Sequence, residues 1–146
     1  MSAEDHFEIA NLVYRYPELI DAGDFDGIAE LFRHATLRAG NNVVRGRNEL
    51  VPMLKRLVRI YEGGRPFTKH LVSNLVIEVA PDRATATARS YVTVLQARPS
   101  EFPLQVIASN RHFDRFECVD GAWRFSERVD IPDLAGDLSR HVTETY

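Results

Sequence analysis

The chain has 146 residues, 45% of them hydrophobic, and 18 Lys and Arg against 21 Asp and Glu give a formal net charge of -3. That length suits one domain, 1–146, able to bury a core without disulfides or metals, and the single cysteine, Cys118, excludes an intramolecular disulfide and points to a reducing cytoplasm. No basic field favours nucleic acid as a partner, the polar N-terminus holds no signal-peptide core, and no apolar run reaches the roughly 20 residues that a membrane span needs.

The first third reads as helix. Phe7, Ile9, Leu12, Val13, Tyr16, Leu19 and Ile20 recur at spacings of three and four and form one apolar face. Asp5 is read as its N-cap, Pro17 as a kink, and Gly23 as the residue that ends it. Asp24 caps a second helix carrying Phe25, Ile28, Leu31 and Phe32. Two short extended pieces follow around Ala35–Ala39 and Val43–Arg45, with a turn at Asn41-Asn42. A third helix is expected from about Asn48 to Tyr61, and Gly63-Gly64 stops it. Thereafter the pattern is strand: Thr68–Val79, Thr85–Gln96, Leu104–Val119, and Ala122–Ile131 after the hairpin signal Asp120-Gly121. Residues 97–103 read as a rim or a lid, and the tail from Pro132 has no clear period. Three helices followed by a meander of long strands make an α+β chain whose twisted sheet the helices can cover, leaving a pocket between.

Several segments resemble the SnoaL-like branch of the NTF2-like superfamily. They are Tyr14-Arg15-Tyr16 through Leu19-Ile20-Asp21-Ala22-Gly23-Asp24-Phe25-Asp26, then Leu31-Phe32, Lys69-His70-Leu71-Val72-Ser73-Asn74 with Ile77-Glu78-Val79, and Phe113-Asp114-Arg115-Phe116-Glu117 with Asp120-Gly121-Ala122-Trp123-Arg124-Phe125. The resemblance implies an α+β cone, with three N-terminal helices on a strongly curved, mainly antiparallel sheet enclosing an apolar pocket. The pattern is most similar to scytalone dehydratase, hexachlorocyclohexane dehydrochlorinase and the bile-acid dehydratases. In those enzymes a histidine on the strand after the third helix is the base, oriented by an aspartate at the end of the first helix. The matching positions are His70 and Asp21; Tyr16 matches a pocket tyrosine or lysine, and Arg128 a pocket arginine of the dehydrochlorinase. Relatives are commonly dimers or trimers, so the resemblance also implies a homo-oligomer built through the sheet, with Tyr91, Leu95 and Phe113 as contacts.

The chemistry is coherent. Elimination needs a base of near-neutral pKa, and a carboxylate bonded to one imidazole nitrogen fixes the tautomer and stabilises the imidazolium. Tyr14, Tyr16, Asn110, His112 and Arg128 are candidate donors to a leaving group. Trp123 is a candidate pocket wall, with Phe67, Phe102 and Phe116. On the residues alone, Asp21 reads as a solvated helix end, His70 as a strand residue bonded to its neighbours, Tyr16 also as a core tyrosine, and Arg128 also as a partner of Asp130 or Glu127. Tyr14 and Tyr16 lie about 200° apart on a helix, so both face one pocket only if Pro17 distorts the turn. No metal and no cofactor is expected. The expected function is elimination from a small hydrophobic substrate, with an isomerase or cyclase, a dioxygenase β-subunit-like protein or a ligand-binding protein as alternatives.

Overall fold

A computed structural model describes residues 2–144. Three helices, α1 (Ala3–Asp21), α2 (Phe25–Leu31) and α3 (Arg47–Leu57), pack on one six-stranded sheet. Its strands are β1 (Thr36–Ala39), β2 (Asn42–Arg45), β3 (Thr68–Val79), β4 (Thr85–Arg98), β5 (Phe102–Val119) and β6 (Ala122–Ala135), in the order β2-β1-β6-β5-β4-β3. Only β1 with β6 is parallel, so the sheet is mixed and mainly antiparallel. No described helix is long and apolar enough to cross a membrane.

The expected strands are present, and the last three run longer than the period suggested. β6 continues through Pro132 to Ala135, and α3 stops at Leu57 where Tyr61 was expected. There Val58 bridges to Val142 of the C-terminal segment, a long-range pairing that ends the helix early. α1 continues through Pro17 to Asp21. Its N-cap is Ser2, whose hydroxyl accepts the Asp5 N–H at 3.1 Å. Asp5 instead turns inward and accepts from Arg83 at 2.7 and 2.8 Å and from the Trp123 indole at 3.0 Å. These donors hold the Asp5 carboxyl well below the usual carboxylate range.

The register explains where solid core ends and open space begins. Side chains alternate between faces along a strand, so paired residues form inward rungs across the sheet. Ala86, Phe116 and Phe125 form one rung, then Ala88, Asp114 and Arg128, then Ser90, His112 and Asp130, then Val92, Asn110 and Pro132, and finally Val94, Ala108 and Ala135. The first is packed solid: Phe125 stacks 4.6 Å from both Phe32 and Phe116, all three rings fully buried. The middle rungs are polar and the last are small and apolar. Opposite Ser109/Asn110 and Arg115/Phe116 the register shifts by one residue, leaving Asp133 and Ser126 as extra residues on β6, and such bulges bend that strand and help the sheet wrap around the helices.

The turn after α1 allows no side chain. Gly23 has φ +70°, and a Cβ there would lie 2.0 Å from the Gly64 carbonyl oxygen. Gly23→Ala combines left-handed strain of about 1–2 kcal/mol with that clash. Urea denaturation should show a loss of at least about 2 kcal/mol; an unchanged midpoint would contradict this account of the turn.

Candidate functional site

Asp21 is the last residue of α1, and β3 is the edge strand beside it. A carboxylate at a helix C-terminus opposes the helix dipole, and α1 has no basic residue in its last turn to offset it. Three donors from β3 compensate. The Thr68 hydroxyl donates to Oδ1 at 2.8 Å, the His70 backbone N–H to Oδ2 at 2.9 Å, and His70 Nδ1 lies 2.6 Å from Oδ1. Thr68 and His70 reach the same carboxylate because they are two apart on a strand. Burial works to raise the Asp21 pKa, but these hydrogen bonds and the His70 charge prevail and hold it below its ordinary value. An ionised carboxylate can only accept, so Nδ1 is the nitrogen that holds a proton towards Asp21, and in the neutral ring that leaves the lone pair on Nε2.

His70 lines a cavity of ≈ 290 Å³ between the helices and the sheet. Ile20, Leu50, Leu54, Leu57, Val92 and Val94 are among its apolar walls, and Tyr16, Asn110, His112, Arg128 and Asp130 contribute polar groups. The Tyr16 ring stands edge-on to His70 at 5.9 Å and to His112 at 6.2 Å. Burial, joined by the charges of Asp130 and Asp21 against that of Arg128, pushes the Tyr16 hydroxyl up to about 12. His112 Nε2 lies 3.2 Å from Asp130, and the Asn110 amide donates to the same carboxylate at 3.4 Å. Burial and the Arg128 charge nevertheless keep the His112 pKa low, so its ring is neutral at pH 7.

The carboxylate that Arg128 grips is Asp114 on the neighbouring strand, where Glu127 or Asp130 was the alternative. Its Nε and Nη2 donate to Asp114 at 2.7 and 3.0 Å, and both residues are buried. Its guanidinium lies 4.9, 5.1 and 5.2 Å from the ring centres of Tyr16, Phe32 and Phe125. Loss of solvation disfavours the cation, but Asp114 prevails and keeps Arg128 charged. One donor, Nη1, is buried without a protein partner.

Thus Asp21, His70, Tyr16, Asn110, His112 and Arg128 converge, whereas Tyr14 and Trp123 do not. Tyr14 is 46% exposed, on the far side of α1 from Tyr16, and Pro17 does not swing it inward. Trp123 lies at the packed end, its indole committed to Asp5. Phe67, Phe102 and Phe116 are likewise absent from the cavity lining. Residues 97–103 connect β4 to β5 and line no part of this cavity; Arg98 pairs with Glu62 at 2.7 Å and Glu101 at 2.8 Å and lies 4.3 Å from the Tyr61 ring centre.

The sequence did not single out Asp130 or His141. Asp130 shares strand parity with Arg128 and pairs with His112 in the sheet, which an exact register would have exposed. His141 arrives from the aperiodic tail. Its ring lies 5.9 Å from that of His70 in an edge contact, and burial, with the His70 charge, pulls its pKa from the usual 6.5 to about 4. Among the described residues no cluster of three or more His, Cys, Asp or Glu is arranged to hold a metal.

A family model for the SnoaL-like domain matches residues 1–129, most of the sequence. The chain belongs to the SnoaL-like domain family. Among solved structures, a protein of unknown function from Mycobacterium tuberculosis is 28% identical, with TM-score 0.71, covering 88% of this chain and 72% of that one. Aln2 from a Streptomyces species is 25% identical, with TM-score 0.74 over 91% of this chain and 94% of its own. A Novosphingobium aromaticivorans protein provisionally described as a scytalone dehydratase is 23% identical, with TM-score 0.71 over 91% and 87%, and shares the fold. None of the curated proteins matches the sequence. This SnoaL-like chain thus has the expected three helices on a curved sheet, and its cavity sits where the polar rungs give way to small apolar ones.

Below pH 6.5 an unfolded chain takes up a proton that buried His141 resists, so stability falls as pH drops from about 6.5 to about 4. The loss attributable to His141 is about 3 kcal/mol. His112 pushes the same way, and the Asp21 contribution disappears as its carboxylate protonates at still lower pH. Urea denaturation at pH 7 and 4.5 should show the drop in the wild type and a shallower one in His141→Phe; parallel curves would refute this assignment.

Proposed function

We propose that this protein is a cofactor-independent lyase. It removes water, or a comparable small leaving group, from the carbon β to a carbonyl in an apolar ring compound, with His70 as base and Asp21 orienting it. The observation that carries this reading is the 2.6 Å bond between His70 Nδ1 and Asp21 on the wall of an apolar cavity. A volume of ≈ 290 Å³ lies near the lower end of the usual ligand-pocket range of about 300–1,000 Å³ and suits a molecule of one or two rings.

In this mechanism the Nε2 lone pair of His70 takes the proton from the carbon next to the carbonyl. The C–H electron pair becomes the double bond as the bond to the leaving oxygen breaks. The imidazolium, stabilised by Asp21, returns its proton to that oxygen, so water departs and the neutral base is restored. Donors are needed where charge builds on oxygen. Tyr16, with its pKa pushed up to about 12, donates a hydrogen bond while keeping its proton, and the spare Nη1 of Arg128 and the Asn110 amide are further donors. The apolar walls exclude the water that would weaken these interactions.

An isomerase is the second reading, favoured by one observation. Asp130 supplies the pocket carboxylate that an isomerase would use to hand a proton to a different carbon. The test separates the two. Incubated with 3-hydroxy-1-tetralone, the enzyme should release 1-naphthol, read by its fluorescence. His70→Ala should lower kcat/KM by about 10²–10⁴-fold, the usual worth of a positioned base, and Asp21→Asn should lower it too. Exchange of the α-proton for deuterium without loss of water would favour the isomerase. Full activity in His70→Ala would end the proposal.

The outer sheet face supports a homo-oligomer. Leu71 and Tyr91 are each 48% exposed and Val106 56%, all on the face turned from the helices, where Leu95 and Phe113 also lie. Exposed apolar side chains interleaved with Arg89, Arg111 and Lys69 on this face suit a mixed interface between copies. Sedimentation should give a dimer or trimer; a monomer at micromolar concentration would remove this expectation.

A further inference from the structure

The segment 137–143 lies beyond the family match, which ends at Val129, and it forms one wall of the cavity. It is fixed in place by hydrogen bonds to the end of α3 and to β4. The Arg59 backbone N–H donates to the His141 carbonyl at 2.8 Å, the Thr143 N–H to the Leu57 carbonyl at 2.8 Å, and the Thr143 hydroxyl to the Arg56 carbonyl at 2.8 Å. The Arg59 side chain donates to Ser139 at 2.8 Å and the Gln96 amide to the Arg140 carbonyl at 2.9 Å. Leu138 packs on the small apolar cluster of Val94, Ile107 and Ala108. So the position of His141 is set by a built piece of structure.

His141 is 7% exposed, and its Nδ1 is buried without a hydrogen-bond partner. Buried polar atoms are nearly always partnered, and one left alone costs stability. Leu138 and Val142 of its own segment, with Val58 bridged to Val142, give the cavity apolar lining, so an apolar side chain would fill the position without that cost. Its ring meets the edge of the proposed base, 5.9 Å from the His70 centroid. A ligand atom beside His70 is therefore also beside His141.

We propose that His141 is a second catalytic residue, a neutral imidazole that hydrogen-bonds the oxygen of a ring ketone held against His70. This rests on the lyase reading and deepens it by naming what recognises the carbonyl. Its low pKa keeps it uncharged beside a base that becomes cationic during the reaction, so it binds oxygen without competing for the proton. His141 thereby adds recognition from outside the matched part of the family.

The test is binding of 1-tetralone and of tetralin, the same two rings without the ketone. Neither has a leaving group, so the result does not depend on elimination. In the wild-type protein the ¹⁵N resonances of His141 should move with 1-tetralone and stay in place with tetralin. His141→Phe keeps an aromatic ring and removes the nitrogens. It should weaken 1-tetralone by about tenfold and change tetralin by no more than about twofold, as expected for one lost hydrogen bond in a dry site. His141→Gln should regain part of the difference. Equal weakening of both ligands assigns His141 to packing and overturns the proposal, as does an unchanged Kd for 1-tetralone or no binding of 1-tetralone to the wild type. Should the variants fail to fold, an unmoved His141 resonance in the wild-type titration overturns it alone. Release of 1-naphthol from 3-hydroxy-1-tetralone, lost in His70→Ala, shows separately whether the underlying lyase reading stands.

Discussion

The carboxylate of Asp21 joins the two layers of this protein at the point where its proposed chemistry would occur. It takes a hydroxyl, a backbone N–H and an imidazole N–H from β3, all within 2.9 Å, and it does so from the end of α1 where a negative charge is least welcome. The orientation of His70, the tautomer of its ring and the seating of α1 against the sheet edge follow from the same group. The turn just beyond it is held by Gly23, which lies too close to Gly64 for a side chain. Helix end and strand are therefore fixed relative to each other before any ligand arrives.

Opposite this wall, the sheet changes character rung by rung. Three stacked phenylalanines close one end. Next to them Arg128 and Asp114 form a buried ion pair, with the guanidinium set against the rings of Tyr16, Phe32 and Phe125. Removing one partner of such a pair strands a charge in a dry interior, at a typical cost of about 3–5 kcal/mol. The pair thus gives the cavity a floor that is polar and stiff, and the His112 and Asp130 rung continues it. Small residues at Ala86, Ala88 and Ser90 on β4 make room for these larger neighbours.

The elements were legible because their signals are local. The apolar face of α1, the turn at Gly23 and the strand from Thr68 to Val79 follow from periodicity and from residues suited to particular backbone angles. The partnership of Asp21 and His70 was not local; 49 residues separate them, and only the family resemblance brought them together. Asp5 had the signature of a cap, but contacts with Arg83 and Trp123, 78 and 118 residues away, claimed its carboxylate. Trp123 looked like a pocket wall for want of that partner. Arg128 needed the exact pairing of β5 with β6, including a bulge across from Arg115/Phe116, before Asp114 could be seen opposite it. His141 was invisible because its segment has no period of its own and is shaped by α3.

β3 has a neighbour on one side only. An open strand offers a row of unpaired amides to any other chain that can lie alongside, which is how sheets come to grow into aggregates. At His70 that amide is already taken by Asp21. A stranger seeking to extend the sheet at this point would have to evict a half-buried negative charge from three donors and push aside the end of α1. The group that aims the imidazole inward therefore also guards the margin of the sheet, so losing it would weaken the protein's protection against misassembly as well as its proposed chemistry.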